Sequence, residues 1–118
     1  MLNPIPDLKT NPSVRGLIYV LRHRELWPEK FVWEYTNCVT CAMGLCLILC
    51  GIDPVKAMMQ AGNNSVMLAR KVCRLLRIPK HKREIAIAVL CNGYVGHSKP
   101  MFAIEPEDVA DGLEFFVQ

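Results

Sequence analysis

Four cysteines fall between Asn37 and Gly51, at positions 38, 41, 46 and 50 of the stretch NCVTCAMGLCLILCG, with no charge among them. A cysteine at the start of an apolar helix is drawn toward its thiolate by unpaired amides and the helix dipole, and papain-like enzymes activate a nucleophile in this way. Cys38 and Cys41 hold that position. His97, in GYVGHS, is then the candidate base, with Asn92 or Asp108 to orient it. The glycine-serine pair that precedes the papain nucleophile and the aromatic that follows it are both missing here. Cys38 and Cys41 can also offer two thiolates to zinc, with Cys91 and His97 completing a tetrahedral set. A redox Cys-x-x-Cys needs a βαβ pattern beside it, and none is present. The plainest reading of the six cysteines is free thiols that act as small hydrophobes, four of them in a buried helix, with no cofactor and no catalytic centre.

A second pattern is electrostatic. Arg70, Lys71, Arg74, Arg77, Lys80, Lys82 and Arg83 make up half of the 14 lysines and arginines in the chain. From Ile104 onward stand Glu105, Glu107, Asp108, Asp111 and Glu114 and no cation, so a net charge of +3 conceals a dipolar molecule. Lys80, Lys82 and Arg83 sit where a helix should begin, and cations there oppose the macrodipole by some tenths of a kcal/mol each. A bound anion would explain them, because helix-start amides with lysine and arginine make a site for phosphate or carboxylate. The bland alternative is a solvated basic face balanced by the acidic terminal segment. ARKVCRLLRIPKHKREIAIAVL also has the outline of a helix-turn-helix with Pro79 in the turn. Its second helix becomes apolar after Glu84, which leaves few side chains to read bases, and the turn lacks the usual glycine.

Some framework must position these groups. A chain of 118 residues, 52% apolar and 21% charged, is expected to form one globular domain over residues 1–118. The opening MLNPIPDLKTNP has no apolar run behind a basic cluster, so it does not resemble a secretory signal, and a cytoplasmic location with free thiols is expected. The longest uncharged apolar stretch, from Cys38 to Cys50, falls short of the roughly 20 residues that span a bilayer, so no membrane span is expected.

Residues 1–10 look like a surface arm. Asn11 and Pro12 predict the start of a helix of about 12 residues with Val14, Leu17, Ile18 and Leu21 inward and Arg15, Arg22 and Arg24 outward. Pro28 marks a connection that carries Trp27, Phe31 and Trp33 into the core. The cysteine stretch is apolar on every side, and so predicts a central helix, capped by Thr36 or Asn37 and closed by a left-handed Gly51. Asp53 and Pro54 start a short helix with Val55, Met58 and Met59 inward. Asn64 or Ser65 caps the next, with Val66, Ala69, Val72, Cys73 and Leu76 on one side. KHKREIAIAVLCNG fits a strand through Ile85, Ile87 and Val89 or a helix through Ile85, Ala88, Val89 and Asn92; its alanines and leading charges favour the helix. Pro106, Glu107 and Asp108 open a terminal helix with Val109, Leu113 and Phe116 on one face. The expected fold is all-α, a bundle of about five helices around a central apolar one. Residues 94–103 are the one place for a short hairpin.

The order of these features resembles that of a group of small bacterial and phage-encoded proteins in which a tryptophan precedes a Cys-x-Thr-x-Ala helix start. Trp33, Cys38, Thr40, Ala42, Leu76, Pro106, Val109 and Leu113 match that outline, whereas Met43 stands in place of the group's usual second cysteine and its later glycine is displaced to Gly44. The resemblance implies a compact helical domain and brings no activity with it. Residues and resemblance together lead to a small interaction protein that docks the 70–83 face on an acidic protein or nucleic-acid-like surface, for example to inhibit a host defence complex, with Trp27 or Tyr94 as aromatic anchors. The competing expectation is an enzyme built on Cys38 or Cys41 with His97.

Overall fold

The computed structural model describes residues 7–34, 37, 39–92, 105–114 and 117. At the starts of four of its helices a side chain bonds the backbone amides. The first, α1 (Val14–Leu21), starts after Ser13, whose Oγ accepts from Gly16 N at 3.0 Å. Asn11, the expected start, instead closes a turn by donating its amide to Asp7 O at 2.9 Å. That turn swings Leu8 into the core, where it is 2% exposed, so the leading segment is more than a surface arm from this residue on.

The central helix, α2 (Ala42–Leu49), also starts later than expected. Asn37 does use its side chain as a cap, but for a turn: its Oδ1 accepts from Val39 N at 3.0 Å and its carbonyl accepts from Thr40 N at 3.0 Å. The helix begins only after Cys41. Its residues Ala42 through Leu47 are all buried, as expected of a helix apolar on every side. Gly51 closes it in the left-handed region (φ 82°), with Ile52 N bonded to Leu47 O and Gly51 N to Ile48 O, a Schellman motif.

Asp53 caps α3 (Pro54–Gln60) by accepting from Val55 N and Lys56 N, and Asn64 caps α4 (Ser65–Leu75) by accepting from Val66 N and Met67 N. The inward faces differ from expectation. On α3, Ala57 is buried while Val55 and Met59 are exposed, because close approach to α2 and α4 admits the small side chain. On α4, Leu68 takes the inward place expected of Val66. Residues Arg83–Asn92 form a helix, α5, preceded by a 3-10 turn over Lys80–Lys82. It buries Ala86, Ile87, Val89 and Leu90 and exposes Ile85, the reverse of the expected phase at Ile85. Pro106–Leu113 forms α6, opened by Asp108 Oδ2 accepting from Glu105 N at 3.1 Å.

The described residues therefore fold as six α-helices with no strand. The expected hairpin near 94–103 and the side chain of Phe116 lie outside them. The most extensive interfaces are α1 with α6 and α4 with α5; α2 packs on α3 and α4, and α5 on α6. Trp27, Phe31 and Trp33 lie half-buried against this core, and Trp27 Nε1 donates to Val20 O at 2.7 Å. No single described helix is long and apolar enough to cross a membrane.

A cationic cleft between α4 and α5

The turn out of α4 is also a Schellman motif: Arg77 N donates to Arg74 O and Ile78 N to Cys73 O. Its left-handed position, φ 58°, is held by Arg77 rather than by glycine. The chain then reverses, Lys82 N bonds to Pro79 O, and α5 runs back along α4 until Cys91 Sγ reaches Ser65 O at 3.4 Å. Between the two helices lies a cleft of about 270 Å³ lined by Arg70, Arg74, Lys80, Arg83, Glu84 and Ile87. Arg70 and Arg74 are one turn apart on α4, and Lys80 and Arg83 come from the start of the returning element. The guanidinium of Arg83 is pinned, since its Nε donates to Ile78 O at 3.2 Å.

The seven cations expected to form one face do not stay together. Arg70, Arg74, Lys80 and Arg83 converge on the cleft, and Lys71 and Lys82 are half-buried outside its lining. Arg77 lines a separate hollow with Ser13, Arg15 and Val117. Glu84 and Ile87 complete the cleft wall and were missed as site residues. The one signal for them was spacing, since Arg83 and Ile87 stand one helical turn apart with Glu84 beside them.

The acidic terminal helix does not neutralise this cleft. Arg22 pairs with Asp111 and Glu114 at 2.8 Å each, and Arg24 with Glu105 and Glu107 at 3.3 and 3.8 Å. Burial works against the Arg22 charge, but the bonds to Asp111 and Glu114 outweigh it and raise its pKa. Among the described residues, none of the seven cations from Arg70 to Arg83 has a carboxylate within 4 Å. Their field reaches inward: burial pushes the Cys73 thiol up, while Arg83 and Arg74 pull against that shift.

The cysteine candidates fare differently. Cys38 and His97 lie outside the described residues. Cys41 is 2% exposed, and a thiol so enclosed is poorly placed to attack a substrate. Cys91 donates to the Ser65 carbonyl, and Asp108, one proposed orienting group, accepts from Glu105 N at the start of α6. The other, Asn92, has its side chain outside the described residues. Among the described residues no group of three or more His, Cys, Asp and Glu side chains is placed to hold a metal ion. Among the described residues Cys46, Cys50 and Cys73 carry free thiols. In the Cys46–Cys50 pair the buried Cys46 keeps its proton and is raised well above the ordinary range, while its hydrogen bond lowers Cys50.

The helix-turn-helix outline meets a connection running from Leu76 to Lys82, longer than the usual three- or four-residue turn. The expected anchor Trp27 is half-buried with its N–H bonded to Val20, and Tyr94 lies outside the described residues. A further hollow of about 310 Å³, mostly apolar, lies between the loop at Pro28–Val32, α2 and α3; Thr40 stands on its wall with a buried hydroxyl that has no hydrogen-bond partner among the described residues. No protein-family model, curated protein or solved structure matches the chain.

Proposed function

We propose that the protein is a non-catalytic interaction module that docks the cleft face of α4 and α5 on an acidic macromolecular surface. One observation carries the reading: Arg70, Arg74, Lys80 and Arg83 converge on a single cleft with no carboxylate partner within 4 Å among the described residues. Like charges brought together oppose folding unless something else uses them, and here α6 directs its acids to Arg22 and Arg24 instead. The burial of Cys41 supports a binding role over a thiol enzyme.

The test is fluorescence anisotropy on the full chain with two labelled probes, a polyglutamate peptide and duplex DNA. Association with at least one of them is expected, and Arg70→Glu with Arg74→Glu should abolish it while the far-ultraviolet circular dichroism stays unchanged. A steep linear fall of log affinity with log salt marks phosphate neutralisation and hence nucleic acid. Binding that survives the double reversal removes this face from consideration.

A further inference from the structure

We infer that the α4–α5 cleft grips one doubly charged phosphate borne by a phosphorylated side chain of a partner protein, an inference that rests on the docking function proposed above. The size of the cleft is the first argument. At about 270 Å³ it has room for a phosphate group and for part of the side chain that bears it.

Charge is the second argument. Among the described residues three guanidiniums and one ammonium line the cleft with a single carboxylate, Glu84. That excess suits a phosphomonoester, which carries about −1.5 to −2 at neutral pH and offers three acceptor oxygens, better than a carboxylate with one charge. Arginine forks match phosphate geometry, and Arg83 is already oriented by the Ile78 carbonyl, so less side-chain freedom is lost on binding. Glu84 on the wall repels a second anionic group and limits the cleft to one.

The layout argues against a nucleic-acid backbone. Arg77 turns into a different hollow from the cleft, so the cations make a point and not a stripe that tracks successive phosphates. Among the described residues no aromatic side chain lines the cleft, which gives bases no stacking platform there. Beside it the exposed Met67 places its sulfur 3.8 Å from the Arg70 guanidinium, an apolar shoulder for residues that flank a phosphorylated one.

The experiment titrates the full chain into labelled degenerate peptide mixtures centred on phosphoserine, serine or glutamate. The phosphoserine mixture should bind at least about tenfold more tightly than either of the others. Inorganic phosphate should displace it from the unaltered protein, a measurement that needs no variant to fold. Arg74→Gln and Lys80→Gln should each weaken binding about tenfold, while Arg77→Gln should leave it unchanged. Equal binding of the glutamate mixture overturns the phosphate inference and leaves general acidic docking standing. Phenyl phosphate binding as tightly as the phosphopeptides overturns the protein bearer in favour of a small molecule. Duplex DNA binding more tightly than the phosphopeptides overturns it in favour of nucleic acid. If no acidic peptide, phosphopeptide or DNA binds at all, both the inference and the docking function fall.

Discussion

Replacing Gly44 with alanine sets two physical effects against each other, and the structure decides the sign. Gly44 lies inside α2, where glycine costs about 1 kcal/mol relative to alanine, so helix propensity alone makes Gly44→Ala stabilising by that amount. A methyl at Gly44, however, would overlap the carbonyl of Val39 in the turn folded back over the start of the helix. Relief requires Val39 to move, and three hydrogen bonds hold its turn: Val39 N to Asn37 Oδ1 at 3.0 Å, Thr40 N to Asn37 O at 3.0 Å, and Glu34 N to Thr40 O at 3.1 Å. At a net worth of about 1 kcal/mol each, losing them costs about 3 kcal/mol, and the propensity gain leaves about 2 kcal/mol of destabilisation. For a chain of this size that lowers the melting temperature by about 8 °C and the urea midpoint by about 1 M. Equilibrium urea unfolding followed by circular dichroism measures it. A variant more stable than the parent by about 1 kcal/mol would refute the close approach of the 37–40 turn to α2.

Arg77→Gly should stabilise the protein by about 0.5 to 1 kcal/mol in the same assay, since a left-handed conformation costs a non-glycine residue about 1 to 2 kcal/mol and glycine returns part of that as chain entropy. Thr40→Val keeps the shape and removes a buried hydroxyl that is unpartnered among the described residues, so a gain of about 1 kcal/mol is expected; a loss would mean that the hydroxyl is satisfied in solution. The thiol of Cys73 is raised in the folded state by burial, whereas in the Cys46–Cys50 pair one thiol is raised and the other lowered by the same bond, so the two oppose each other. Stability from a raised acid is complete below the unfolded thiol value and is lost as pH climbs above it, because the unfolded chain then releases protons that the folded one keeps. The urea midpoint should therefore fall as pH rises past about 9, and Cys73→Ala should flatten that fall; an unchanged slope would count against it.

The helix boundaries show which sequence signals were legible. Asp53 with Pro54, Asn64, Gly51 and Pro106 each act where their types and positions say, because capping and left-handed turns are local chemistry settled within four residues. The start of α2 was misplaced because Asn37 can cap either a turn or a helix, and only the bond from Glu34 N to Thr40 O, across the loop, selects the turn. The inward faces of α3 and α5 were misread for a related reason. On a short helix with apolar residues on several sides, the sequence presents more than one possible face, and the neighbour that arrives chooses among them.

The same division holds for the site. Composition and order alone determined an all-helical chain, a cationic run from Arg70 to Arg83 and an acidic end after Ile104. Which cations stand together was a tertiary matter: the left-handed turn at Arg77 sends that side chain into one hollow and returns Lys80 and Arg83 to Arg70 and Arg74 in another. Which charges neutralise each other was tertiary as well, because α6 packs on α1 and meets Arg22 and Arg24 first. Charge is a property of the residues, but its partner is a property of distance, and distance is set only when the helices pack.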